Sequence, residues 1–296
     1  MKDGFISQTD KMHFLKKIFA FMALPFSIKK KVVAYYLHRV TFSKASDNKI
    51  IWTSFFYFAS RQPVRVNESE NDYLVKFSYQ NKPLTVVIRK GESSDIYVFF
   101  QVFIRDEYNP FFTRLSQQPA APETCLDAGA NVGYFALASW CWFPGCKVVS
   151  VEPDPGNYAM LLKNVQLNNC TASVLPIQAA LWVENKTLFL MKQSLREWAY
   201  AVTEEVTPDG ACNAITLSYM VQNYAVNGFD AIKIDVEGAE QQLFNSVAFI
   251  NTMQPAKVVG LEIHDEKANR NKIENTLFEL GYVISNHGEL TLATKK

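Results

Sequence analysis

A chain of 296 residues, 48% apolar and 20% charged, can bury a sizeable core and lacks the composition of a disordered polymer. Its formal net charge of +1 argues against a dedicated nucleic-acid binder. The five cysteines (Cys125, Cys141, Cys146, Cys170, Cys212) form no CxxC pair and no ligand spacing with a histidine, which argues against a disulfide framework or a zinc site and suits buried thiols in a cytoplasmic protein.

Residues 1–50 hold ten Lys/Arg against three acids, which leaves the rest of the chain at −6. The run "FLKKIFAFMALPF" is broken by Lys16 and Lys17 and ended by Pro25, so it is too short to span a bilayer. It continues into "SIKKKVVAYYLHRV" rather than a small-residue cleavage site, which argues against a signal peptide. Two amphipathic basic helices are expected. The preferred reading packs them on the main domain with their lysines in water; the second is peripheral contact with an anionic membrane surface, such as the inner face of a membrane, or with a lipid-linked substrate.

From Ile51 to about Arg89 period-two segments, "VRVNES", "DYLVKFSY" and "LTVVIRK", predict a small antiparallel sheet with "QNKP" as a turn. Residues 93–108, "SSDIYVFFQVFIRDEY", read as one helix capped by Ser93 or Ser94, with Asp95 in its first turn. The organisation expected is a basic helical extension (1–50), a small β-plus-helix substrate or lid region (51–120) and an α/β domain (121–296). In that last domain continuously apolar strands alternate with helices. The strands are "TCLDA", "KVVSVEP", "VLPIQAALW", "AIKIDVE" and "KVVGLEIH"; the helices start at Tyr134 and cover 155–168, about 217–226, 238–249 and 266–280; a hairpin closes the chain. This pattern implies a mainly parallel sheet with helices on both faces, whose ligands bind at the carboxyl ends of the strands.

The candidate chemistry sits at those ends. In "LDAGANVG", Gly129 and Gly133 permit positive φ, and Asn131 is among the few other residues that enter the left-handed region readily. The middle glycine of the dinucleotide pattern is missing, and Asp127 would repel a pyrophosphate while suiting an ammonium or sulfonium; its alternative role is to cap the turn. Glu152 lies 25 positions beyond Asp127 at the end of the next strand, where a carboxylate can accept both ribose hydroxyls. Ala179 and Ala180 could border an adenine ring or simply allow tight packing. "IKIDVEGAE" brings Lys233, Asp235, Glu237 and Glu240 to the fourth strand end, with Lys233 and Asp235 on one face for a catalytic or a structural ion pair. Glu262 and His264 share a face at the fifth, and His264 is titratable near neutrality.

Taken in order, "LDAGANVGYFAL", "VVSVEPDPGNYAMLLKNVQLNN", "IQAALW", "IKIDVEGAE" and "GLEIH" resemble the successive motifs of the FkbM family of S-adenosylmethionine-dependent methyltransferases. The resemblance covers about residues 89–265 and leaves out the basic N-terminus. It implies an α/β, Rossmann-like core with a mainly parallel seven-stranded sheet, and O-methylation of a sugar, glycolipid or other small natural product. S-adenosylmethionine is the implied cofactor. It assigns Asp127, Gly129, Asn131 and Gly133 to the cofactor loop, Glu152 to the ribose, Ala180 to the adenine and Asp235 to the methionine part or the acceptor. Ser94 and Asp95 match an element expected to close over the cofactor, although Ser93 stands where the family often has threonine.

An acceptor hydroxyl gains from a general base, for which His264, Asp235 and Glu237 are the candidates in that order. A divalent metal has no ligand spacing to favour it. The competing readings are a non-catalytic cofactor-binding or scaffold protein of the same fold and an NAD-dependent dehydrogenase. Acceptor specificity is expected in the first 90 residues, the insert 191–213 with Arg196, Trp198 and Tyr200, and the C-terminal loops. Nothing in the sequence specifies an oligomeric state.

Overall fold

The computed structural model describes residues 8–41, 46–91, 93–192, 200–224 and 228–295. By internal contacts the chain divides into Met1–Arg105 and Asp106–Lys296.

The first unit begins with α1 (Gln8–Ala23), α2 (Phe26–Val40) and α3 (Asp47–Arg61). The expected start of β structure at Ile51 is therefore corrected: Ile51, Trp52, Phe55 and Phe56 are buried at helical, not alternating, spacing. The small antiparallel sheet follows as β1 (Arg65–Glu68), β2 (Asp72–Tyr79) and β3 (Lys82–Arg89). Gln80 and Asn81 join β2 to β3 with both φ positive, as a two-residue hairpin requires. The helix expected over 93–108 is shorter, because α4 (Asp95–Phe99) runs into a π-turn at Phe100–Ile104 and Asp106 takes a positive φ.

In the second unit α5 (Asn109–Ser116) packs on the main sheet, with Phe111 against Gly260, so the division falls at residue 105 rather than at 120. Then come β4 (Thr124–Ala128), α6 (Tyr134–Trp142), β5 (Lys147–Val151), α7 (Pro155–Leu167) and β6 (Val174–Ile177). Asp154 caps α7 by accepting from the Asn157 N–H at 2.7 Å, and Pro155 fits its first turn. The run expected as one strand, "VLPIQAALW", divides. The part holding Pro176 forms β6, an edge strand of the main sheet, where a missing donor is tolerated. Ala180–Leu181 is β7 of a second sheet with β8 (Lys186–Lys192), β9 (Tyr200–Thr203) and β10 (Ala211–Ile215), ordered β7-β10-β8-β9.

The chain then returns through α8 (Leu217–Asn223) to β11 (Ala231–Ile234), α9 (Glu240–Asn245), α10 (Val247–Met253), β12 (Val258–Glu262), α11 (Arg270–Glu279), β13 (Tyr282–His287) and β14 (Leu290–Lys295). One expected helix over 238–249 is two, because Ser246 caps α10 by accepting from the Phe249 N–H.

The main sheet has seven strands in the order β13-β14-β12-β11-β4-β5-β6, parallel from β12 to β6 and antiparallel at β14 and β13. Its α/β, Rossmann-like class is the one expected. The core on one face joins Leu126, Val149, Ile232 and Val259 to Met220, Phe244, Phe249 and Ile273 of the covering helices. On the other, Phe111, Phe112 and Phe135 form an aromatic layer. The five cysteines are buried. From β4 the chain steps outward to β6 and comes back on the opposite side at β11. The carboxyl ends of β4 and β11 therefore flank the switch point at which such sheets bind ligands.

Candidate active site

The loop after β4 alternates into the left-handed region, with φ of +76° at Gly129, +48° at Asn131 and +84° at Gly133. A Cβ on Gly129 would lie 1.7 Å from the Asp235 carbonyl oxygen, so only glycine lets the loops after β4 and β11 touch. Gly133 turns the chain into α6, close against Leu161. Asn131 can hold its position because its side-chain oxygen accepts from the Val132 N–H at 2.8 Å. Its own N–H donates to Glu152 Oε2 at 2.8 Å, and the Asp154 N–H donates to Oε1 at 3.0 Å. The glycine loop and the second strand end are thus one hydrogen-bonded unit. Burial pushes the Glu152 carboxyl up to about 7 against those two donors.

Beneath this loop is a charge the sequence reading treated only as an ion-pair candidate. Lys233 is buried, and its Nζ donates to the Gly129 carbonyl at 2.7 Å and lies 3.3 Å from Asp235 Oδ2 and 3.5 Å from Asp127 Oδ1. Burial opposes its charge, but Asp235, Tyr108 and Asp127 hold its pKa above the ordinary lysine value. Asp127, expected at the cofactor's positive end, is wholly buried beside Lys233, its register partner across β4 and β11. Burial raises its carboxyl to about 6 despite Lys233. Both roles weighed for Lys233 thus resolve into a clamp that ties the glycine loop to β11.

Past β11, Glu237 takes φ +54°, a left-handed conformation uncommon for a long side chain and a mark of functional sites. The Lys267 ammonium donates to its carbonyl at 3.1 Å. His264 Nε2 lies 3.3 Å from Glu237 Oε2 and its Nδ1 3.1 Å from Oε1 of buried Glu240. Hydrogen bonds to Glu237 and Glu240 push the imidazole up to about 11. An imidazolium between two carboxylates has no lone pair for a substrate proton, which favours Asp235 and Glu237 over His264 as base. Glu262 faces Lys233 across a small pocket, and its carboxyl is raised to about 8, first by Asp235 and then by burial.

Glu152, Ala180, Leu181, Val202, Asp235 and Glu237 all line one cleft. Its carboxylates come from two strand ends and its apolar wall from the second sheet. Val202 on β9 falls within the insert 191–213, where the alternation in the flanking "KTLFLMK" and "ACNAI" is the sequence signal for strands. Ala180 lines the cleft, whereas Ala179 packs in the core.

Asp235, Glu237 and His264 offer ligand atoms within 4.8 Å of one another, a set that could hold a metal ion although their sequence spacing gave no ligand pattern. Ser94 and Asp95 belong to the first unit. There Asp95 is buried, accepts from the Arg89 N–H at 2.8 Å and pairs with its guanidinium at 2.7 Å. Arg196, Trp198 and the Tyr200 side chain lie outside the described residues.

Residues 127–284, just over half of the chain, match the model of the methyltransferase FkbM domain. The chain is 28% identical over 191 residues to methyltransferase sdnD of Sordaria araneosa, spanning 54% of this chain and 73% of that protein. Among solved structures it is similar to a SAM-dependent methyltransferase from Agrobacterium tumefaciens, at TM-score 0.45 and 10% identity over 78% of this chain and 72% of that one. It is also similar to methyltransferase FkbM from Methylobacillus flagellatus, at TM-score 0.39 and 15% identity over 58% of this chain and 43% of that one.

Proposed function

The chain belongs to the FkbM methyltransferase family, and we propose that it is an S-adenosylmethionine-dependent O-methyltransferase acting on a hydroxyl of a sugar, glycolipid or other small natural product. The observation that carries this reading is the cleft at the switch point, which gathers Glu152, Asp235 and Glu237 beside an apolar wall. Those residues fit the cofactor: Ala180, Leu181 and Val202 suit an adenine ring, Glu152 the ribose hydroxyls, and Asp235 with Glu237 a positive charge. When bound, S-adenosylmethionine supplies a methyl carbon on a positively charged sulfur, which departs as a neutral thioether. The five buried thiols suit a reducing compartment, and we assign the protein to the cytoplasm.

In this reading the chain's own groups supply position and a proton acceptor. Lys233 fixes the Gly129 carbonyl and so the floor of the cofactor site. The acceptor oxygen forms its new bond to carbon as its proton passes to a carboxylate lining the cleft, with Asp235 first and Glu237 second. His264 is a positioning residue, holding Glu237 in its left-handed conformation while Glu240 fixes the ring.

The test is an acceptor screen with labelled cofactor, lipid-linked and nucleotide-linked sugars first, read as a mass gain of one methyl group. Absence of any calorimetric binding of S-adenosylmethionine at millimolar concentration would sink the proposal. Preferential thermal stabilisation by NAD would favour the dehydrogenase, and cofactor binding without turnover on any acceptor the scaffold.

A second reading rests on the grouping of Asp235, Glu237 and His264. A divalent cation there would acidify the acceptor hydroxyl in place of a protein base. Turnover lost on chelation and restored by Mg2+ would favour the metal; turnover indifferent to chelation assigns the proton to the carboxylates.

A further inference from the structure

Helix α2 buries Ile28 and Val32 and α1 leans on α3 through Phe21, and both helices expose a stripe of apolar residues to water. On α1, Phe21 packs edge-on against Phe56 of α3 with ring centroids 6.0 Å apart. Met12, Leu15, Phe19 and Met22 recur at three- and four-residue spacing, share one stripe and face water, Phe19 at 67% and Met22 at 66% exposure. On α2, Ile28 and Val32 are buried, while Phe26, Val33, Leu37 and Val40 form the outer stripe, Phe26 at 69% and Val40 at 75% exposure. Scattered exposed apolar residues need no explanation, but an apolar stripe on each of two successive helices does.

Charge selects the occupant. From residue 11 to residue 46 the chain carries eight Lys/Arg and no Asp or Glu. A second copy seated on these stripes would bring that cationic surface against itself, a juxtaposition that disfavours association. An anionic lipid surface meets both requirements at once, taking the aromatic and aliphatic side chains into the acyl boundary and the lysines at its headgroups. No described helix is long and apolar enough to cross a membrane, so the contact is in the plane of the interface. Lys30 illustrates the arrangement: its ammonium sits 4.6 Å over the ring of Phe26, cation and apolar group on the same outer surface.

We infer that α1 and α2 form a docking surface for an anionic bilayer, which reverses the preference drawn from sequence for helices that merely pack. The assignment is independent of the methyltransferase reading.

The test is co-sedimentation of the full chain with phosphatidylcholine vesicles containing or lacking phosphatidylglycerol. Binding is expected with the anionic vesicles and is expected to weaken as salt is raised. The Phe19→Ser/Met22→Ser variant is expected to lose about tenfold or more in apparent affinity, and Lys16→Glu/Lys30→Glu a comparable amount. Circular dichroism and thermal melting check that both variants are folded; should either fail to fold, Leu15→Ser takes its place. No binding to anionic vesicles, or equal binding by folded variants, overturns the inference. So does a stable dimer in sedimentation equilibrium that Phe19→Ser/Met22→Ser dissociates, since it gives the stripes to a second copy.

Discussion

Around the carboxyl ends of β4 and β11, Asp127, Lys233 and Glu240 are buried, while on α1 and α2 phenylalanine, methionine and valine stand in water. The two regions invert the usual distribution in opposite senses, and each inversion has its own cost. A buried charge without its partner is expensive, so the strand-end charges form a connected set in which Lys233 meets two carboxylates and a carbonyl. An exposed apolar side chain costs the isolated fold little and leaves area free for burial elsewhere. The difference teaches that the first region satisfies its charges within the fold, whereas the second leaves its apolar area exposed, as the proposed docking surface requires.

The strongest way to break this contrast is Lys233→Met. It strands Asp127 in the interior and is expected to cost about 3–5 kcal/mol in urea denaturation, with part regained in the Asp127→Asn/Lys233→Met double variant. A single variant as stable as the parent would remove Lys233 from its role as clamp. Next in size is Gly129→Ala. The φ of +76° and the approach to Asp235 force the loop to move, for an expected loss of about 1–3 kcal/mol and of cofactor binding measured by calorimetry.

A smaller effect is carried by pH. The Glu152 carboxyl is raised from an ordinary 4.5 to about 7 by burial. Its protonated form is favoured by the fold, so its contribution to stability is complete below 4.5 and is lost as pH rises through about 7. Denaturation between those limits should therefore show a decline that Glu152→Gln flattens; an unchanged slope would mean that the group is not perturbed. Asp127, raised to about 6, adds a decline of the same sign. Smallest of all is Phe19→Ser, expected to change stability by no more than about 0.5 kcal/mol, because its ring is already in water. A loss of several times that amount would show the stripe to be part of the fold's own packing.

Much of the second unit was legible in the chain. Continuous apolar strands separated by helices announced the parallel sheet, and the φ values at Gly129, Asn131 and Gly133 are those the loop sequence allows. Glu152, Ala180, Asp235 and Glu237 were named as strand-end residues and all line the cleft. What the chain did not show shares a cause. Asp127 and His264 were assigned by position along a strand, but their behaviour depends on Lys233 across the β4–β11 pair and on Glu237 and Glu240 around the imidazole. The sheet built from β7 to β10 escaped notice because most of its strands are short, and α3 because aromatic and β-branched residues suit strands and buried helix faces alike.

By itself, then, the sequence determined the local choices: which segments alternate, where the backbone turns left-handed, which side chains stand at strand ends, and that residues 11 to 46 carry Lys and Arg but no Asp or Glu. Those follow from covalent geometry and from neighbours a few residues apart. Only the tertiary structure decided that His264 sits between Glu237 and Glu240, that Lys233 clamps the glycine loop, that Asp235, Glu237 and His264 converge, and that the outer stripes of α1 and α2 are exposed. Protonation, ion pairing and exposure depend on distances and burial between residues far apart in the chain, and folding alone sets those.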